Sequence, residues 1–276
     1  MQRAAVDSLL AFDGYRIAAE TDILRSDEIE TRHIHGSGRR EMVESTSILD
    51  VLVVAPHPDD AELGMGGAIL KMQASGLRVG VVDLTSGEPT PHGTLEIRAA
   101  ETARATEILN LAWRRNLGLP NRSLVADLDA RRAVAEVVRE TRPKWLFAPY
   151  WVDAHPDHWA ATELVEGGRF WAKLTKSDMS GEPHHPQRVF YYYCVHLKQA
   201  IQPAFIVDIS EQWPTKRAAI EAYQSQFITG RPSKARSFVD RLEIEAAYWG
   251  QLIGVAYGEP YHCREPIGLS DFGSLV

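Results

Sequence analysis

The sequence predicts an α/β fold in which a mostly parallel sheet is flanked by helices. From Ile48 onward, short apolar runs alternate with stretches of helical period, the pattern left by strand–helix–strand units. The composition, 45% apolar and 24% charged, is ordinary for a globular chain. At 276 residues, roughly three quarters of the surface exposed by the unfolded chain can be buried, so a core can form without disulfide or metal staples. Any metal is then expected to serve chemistry.

Each element follows from local signals. Leu49 to Ala55 reads as a buried strand, and Ala61 to Ala74 follows as a helix. Leu77 to Leu84 is a second strand. Leu95 to Leu109 is a second helix, with Thr94 placed to cap its first turn. A third strand is expected over Trp113 to Leu117, a helix over Asp129 to Thr141, a fourth strand over Lys144 to Pro149 and a helix over Trp159 to Leu174. Beyond these the pattern loosens. Val189 to Tyr193 and Phe205 to Ile209 look like strands, Glu211 to Phe227 and Ser237 to Ile253 like helices, with polar loops at Lys176 to Gln187 and Thr229 to Ser233. Residues 1 to 48 lack a clean strand and are read as an N-terminal extension with one helix expected from Ala4 to Phe12. Met42, just ahead of the first strand, offers an alternative start. The main domain is expected over 49 to 276.

Charge and cysteine content narrow the function classes. The net charge is −7 and no dense Lys/Arg stripe is present, which argues against nucleic acid as a partner. Two cysteines, Cys194 and Cys263, are too few for a disulfide framework and point to a reducing compartment, the cytoplasm. No run of 18 apolar residues and no secretory leader pattern is found, so no membrane association is expected.

Two loops carry the chemistry. In an open parallel sheet, ligands bind beyond the carboxyl ends of the strands. Ala55-Pro56-His57-Pro58-Asp59-Asp60-Ala61-Glu62 follows the first strand, and Asp153-Ala154-His155-Pro156-Asp157-His158 follows the fourth. His57, Asp60 and His158 offer two nitrogens and an oxygen, a three-ligand set for one Zn²⁺ with a fourth position for water. Zinc lowers the pKa of a bound water to about 7, and Asp59 stands beside the ligands as general base. The plainer reading makes Asp59, Asp60 and Asp157 helix caps and the histidines solvated loop residues. Coincidence of two such loops at one sheet edge favours the metal. Gly64, Gly66 and Gly67 suggest a dinucleotide fingerprint, but that motif needs its glycines in the turn occupied here by His57 to Asp60. They are read as allowing close helix packing.

With these residues in view, the sequence resembles the LmbE-like, PIG-L type zinc deacetylases, whose hallmark pairs a His-Pro-Asp-Asp-x-Glu loop with a later His-Pro-Asp-His loop. The resemblance extends from about Asp50 to Leu269 toward the bacillithiol-pathway branch, which acts on N-acetylglucosaminyl-malate. It takes in Thr94-Leu95-Glu96-Ile97-Arg98, Asn116-Leu117-Gly118-Leu119-Pro120, Tyr191-Tyr192-Tyr193 and Ala222-Tyr223-Gln224-Ser225-Gln226-Phe227. It implies a Rossmann-like domain, one zinc ion on His57, Asp60 and His158 (ferrous iron being the alternative), and Asp59 as base. It further implies that His155, backed by Asp157, stabilises the oxyanion as an imidazolium, that Arg98 and Tyr193 bind substrate, and that the chain forms a homo-oligomer. Arg98 can equally pair with Glu101, and Tyr193 can be a core aromatic. The segment Cys194 to Gln202 looks longer than in that branch and is expected to border the substrate pocket.

The expected function is hydrolysis of the N-acetyl group of an N-acetylglucosamine conjugate, first N-acetylglucosaminyl-malate. A GlcNAc-inositol conjugate or a chitooligosaccharide are the alternatives. Metal-assisted phosphoester hydrolysis and a non-catalytic sugar-binding role are the competing classes.

Overall fold

The computed structural model describes residues 47–197, 199, 201–229 and 235–271. The extension over 1–48, its expected helix and the alternative start at Met42 lie outside these residues, apart from Ser47 and Ile48, as does most of the loop expected over 229–233.

A seven-stranded sheet runs in the order β3-β2-β1-β4-β5-β7-β6. Its strands are β1 (Val51–Ala55), β2 (Val79–Thr85), β3 (Trp113–Leu119), β4 (Trp145–Pro149), β5 (Arg188–Tyr192), β6 (Phe205–Asp208) and β7 (Gly258–His262). The helices are α1 (Asp60–Ala74), α2 (Leu95–Ile108), α3 (Leu128–Thr141), α4 (Pro156–Ala172), α5 (Trp213–Glu221), α6 (Gln224–Phe227) and α7 (Phe238–Leu252). Pairing is parallel from β3 through β5, and only β7 runs against its neighbours. Strand alternation divides the core. Leu52 and Val54 point into a cluster with Val134 and Val138 of α3 and Leu164 of α4, while Val51, Val53 and Ala55 meet Ala61, Met65 and Ile69 of α1 on the other face.

Chain order decides where a site forms. From β1 the chain proceeds to β2 and β3 on one side, whereas β4 pairs with β1 on the other, with Val51 opposite Trp145 and Val53 opposite Phe147. The loops leaving β1 and β4 therefore diverge at a switch point, where open α/β sheets form their crevice.

Three features depart from the sequence reading. β7 was not expected, because Gly258-Glu259-Pro260-Tyr261-His262 is poor in strand formers. It fits because β5 pairs with it only at Tyr261 and His262, past the proline that lacks an N–H. The single helix expected over Glu211 to Phe227 is broken at Ala222 and Tyr223. The buried Tyr223 hydroxyl donates to Glu62 Oε1 at 3.2 Å, and Glu101 accepts from Ser225 N and Oγ at 2.6 and 2.8 Å, tertiary partners that outweigh helix continuity. Finally, α1 is kinked at Met65 (φ −151°, ψ 21°). The kink frees the N–H groups of Gly67 and Ala68, and both donate to the Glu259 carboxylate at 2.8 Å. Lys216 Nζ, 2.6 Å from Glu259 Oε1, completes this buried ion pair.

No helix among the described residues is long and apolar enough to cross a membrane. The helix glycines do allow close approach, since a Cβ on Gly64 would collide with the Tyr192 ring. Helix propensity alone would make Gly64→Ala stabilising by about 1 kcal/mol. The Tyr192 clash reverses the sign, and a net loss of about 1 to 3 kcal/mol is expected from denaturant unfolding midpoints.

Candidate active site

The loop after β1 is built around Asp60, the first residue of α1. Its Oδ2 accepts the His57 main-chain N–H at 3.0 Å and stands 3.0 Å from His57 Nδ1. Asp59 precedes the helix with φ 118°, a region costly for a residue with a Cβ and populated where neighbours over-determine it. It occupies the cap position yet makes no capping bond. Its Oδ2 instead accepts from Arg98 Nη2 at 2.9 Å, and the same nitrogen donates to the Pro58 carbonyl at 2.6 Å.

The loop after β4 turns directly into α4. Asp153 Oδ1 accepts the His155 N–H at 2.7 Å, and His155 caps the helix by accepting the Asp157 N–H on Nδ1 at 3.2 Å. Pro156 follows at the first helical position, where no N–H is needed. The helix thus starts three residues before Trp159, and His158 sits in its first turn.

Side by side, the two loops bring His57, Asp60 and His158 together, with donor atoms within 4.8 Å of one another. His158 Nε2 lies 3.4 Å from Asp60 Oδ2, on which His57 Nδ1 also converges. Tetrahedral ligands at zinc-like bond lengths of about 2.0–2.1 Å stand about 3.4 Å apart, so this donor set fits one divalent ion. The outer nitrogens reinforce the fit. His57 Nε2 is 3.1 Å from Asp157 Oδ2, and His158 Nδ1 is 3.2 Å from Asp153 Oδ1. At His57 the carboxylate behind the ring fixes by a hydrogen bond which nitrogen faces inward and raises its basicity, as metal-binding histidines require, and at His158 the Asp153 carboxylate stands behind the ring at ion-pair distance.

Electrostatics point the same way. Burial disfavours charge on His57, but Asp157 and Asp60 more than reverse this and raise its pKa to about 9. Burial is likewise overcome at His158, with Asp60 as the chief cause, and at Asp60, which the imidazoles hold well below the usual carboxylate range. The cluster draws positive charge, and a metal would displace protons there. Asp59 differs. Burial, opposed by Arg98, pushes its carboxyl up to about 7.

Several expected roles change. The Asp157 carboxylate backs His57 rather than His155, and it also accepts the N–H groups of Arg122 (2.7 Å) and Leu124 (3.1 Å). His155 does not meet the description of an imidazolium held by a carboxylate. Its Nδ1 is occupied by a main-chain donor, which leaves the proton on Nε2, and burial with the neighbouring His158 and His57 lowers its pKa. Arg98 pairs with Asp59 and not with Glu101. Tyr193 is a core aromatic, buried against Tyr150 (ring centroids 5.1 Å apart) and Trp249 (6.1 Å). It borders a separate small cavity with Trp213 and Lys216.

A cavity of about 200 Å³ opens over the histidines, with Asp59, Arg98, Asn121, Arg122, His155 and His196 among its walls. Val195 and His196 place the segment after Cys194 at its border, as the sequence suggested. Asp153, Asn121, Arg122 and His196 were not singled out from sequence. Asp153 lies in the second loop itself, and its closeness to His158 in the chain was the available signal; the others carry no local signature.

An open α/β sheet with a His/Asp/His centre at its switch point defines the class. Residues 52–167 match the family model described as PIG-L, GlcNAc-PI de-N-acetylase. The chain is 31% identical to a diacetylchitobiose deacetylase of Thermococcus kodakarensis over 225 residues, 76% of this chain and 80% of that protein. It is 29% identical to a probable N-acetyl-α-D-glucosaminyl L-malate deacetylase 2 of Bacillus anthracis, over 72% of this chain and 90% of that one. Among solved structures, the conserved protein TT1542 of Thermus thermophilus superposes with a TM-score of 0.75 at 40% identity, covering 82% of this chain and 99% of that chain. The chain belongs to the PIG-L (LmbE-like) deacetylase family.

Because Asp157 and Asp153 orient the two imidazoles, Asp157→Asn and Asp153→Asn are each expected to weaken divalent-metal binding about 10- to 100-fold. Competition with a chromogenic chelator measures this. Unchanged affinity in both variants would show that the carboxylates do not set the ligands.

Proposed function

We propose that this protein is a zinc-dependent N-deacetylase that hydrolyses the acetamide of an N-acetylglucosamine conjugate to acetate and a free amine. The observation that carries this reading is the convergence of His57, Asp60 and His158 with Asp59 on the wall of the same cavity. Zinc or ferrous iron suits two imidazoles and a carboxylate, and zinc is the first choice. A divalent ion held there supplies Lewis acidity toward the acetyl oxygen and acidifies a water.

The chain's own groups account for the remaining steps. Arg98 engages Asp59 Oδ2, which leaves Oδ1 to take the proton of the attacking water. Once it holds that proton, the buried Asp59 carboxyl can return it to the departing nitrogen, so one residue serves as base and then as acid. His155 presents its Nε2–H to the oxygen on which negative charge grows. Because its Nδ1 accepts from the main chain, the ring is pre-oriented and need not be charged. Asp157 acts at one remove, by holding His57.

For the conjugate, N-acetylglucosaminyl-malate, the bacillithiol precursor, is the first choice and diacetylchitobiose the alternative, in line with the two relatives above. Metal-loaded protein is expected to release acetate from at least one of N-acetylglucosaminyl-malate, N-acetylglucosaminyl-inositol and diacetylchitobiose. Asp59→Asn is expected to lower kcat about 10²- to 10⁴-fold while metal stays bound. Full activity in that variant would exclude the mechanism, and a bound sugar with no turnover in the parent protein would favour a binding role.

A further inference from the structure

The wall of the active-site cavity carries two arginines, and they are used differently. Arg98 is buried, with Nη2 committed to Asp59 and to the Pro58 carbonyl. Arg122 is exposed at the cavity wall, and among the described residues its guanidinium has no hydrogen-bond or ion-pair partner. Its backbone is nevertheless tightly specified. Arg122 has φ +64°, a left-handed conformation that disfavours residues other than glycine, asparagine and aspartate. The main-chain N–H donates to Asp157 Oδ2 at 2.7 Å, and that same oxygen lies 3.1 Å from His57 Nε2. One carboxylate thus holds a metal-ligand imidazole and the residue that presents the free guanidinium. Strain kept at a site by such contacts is a reason to look for function there.

We propose that Arg122 is a specificity-determining residue that pairs with an anionic group on the part of the substrate outside the acetamide. This inference rests on the deacetylase reading above and extends it to the substrate class: an N-acetylated sugar bearing a carboxylate or a phosphate. The chemistry follows from the wall. The Asp59 charge is answered by Arg98, and Asp60 is answered by the imidazoles and by any ion they hold. Arg122 is left as the wall arginine whose charge no described carboxylate answers, and a guanidinium fork matches carboxylate and phosphate oxygens in bidentate fashion. Arg98, the residue that sequence alone nominated for an acidic conjugate, is engaged with the base instead.

The test compares kcat/KM on metal-loaded protein for four substrates. N-acetylglucosaminyl-malate supplies carboxylates and N-acetylglucosamine 1-phosphate a phosphate, while methyl N-acetylglucosaminide and diacetylchitobiose are neutral references. The anionic-to-neutral ratio is expected to fall about 10- to 100-fold in Arg122→Gln, mostly through KM, and to recover in part in Arg122→Lys. A fall confined to the malate arm identifies a carboxylate; one confined to the phosphate arm identifies a phosphate. An unchanged ratio in Arg122→Gln overturns the proposal and leaves the deacetylase reading standing. Absence of acetate from all four substrates overturns that reading and the proposal with it. A comparison without any variant guards against misfolding: the KM for N-acetylglucosaminyl-malate is expected to be about tenfold or more below that of its dimethyl ester, and equal values overturn the proposal.

Discussion

The arrangement depends first on the parallel pairing of β1 with β4. These two strands are neighbours although the chain leaves β1 in the opposite direction, toward β2 and β3. Their pairing sets two loops beside each other at the carboxyl edge, and the contact between His57 and Asp157 then joins residues 100 positions apart. Both strands are almost wholly buried, so the register that aligns the loops is enforced by the core on both faces of the sheet. A shift of one residue in either strand would exchange its core faces and pull the two loops out of line.

Within that frame, the buried charges around the site are set against one another. Asp60 is shared by two imidazoles, and each imidazole has a carboxylate behind it, Asp157 for His57 and Asp153 for His158. Asp59 is turned away from its helix toward Arg98. Deeper, Arg114 bridges Asp83 and Glu62, and Glu62 accepts from Tyr223. Burying these charges without partners would cost several kcal/mol each, so the networks permit a polar centre inside a packed sheet edge.

Support for the site reaches across the molecule through α1. The helix delivers Asp60 at its start and breaks at Met65, and its second half begins on the Glu259 carboxylate of β7. The antiparallel strand β7 thus anchors the helix whose first residue is the candidate ligand Asp60. Lys216 of α5 neutralises Glu259, which ties a third element to the same point.

Much of this was legible in the sequence. The parallel strands, the helices between them and the three candidate ligands rest on signals a few residues long: apolar runs, caps such as Thr94, and two loops rich in histidine, aspartate and proline. The resemblance to known deacetylases added roles that such signals do not contain. Tertiary structure alone decided that Asp157 backs His57, that Arg98 serves Asp59, that Tyr193 is packed in the core, that Tyr223 interrupts a helix and that β7 joins the sheet. Those outcomes depend on side-chain direction between residues far apart in the chain, from 39 positions for Asp59 and Arg98 to 161 for Glu62 and Tyr223. Local propensity records what a segment can form, but the partner of a buried polar group is chosen only when strands and helices have packed.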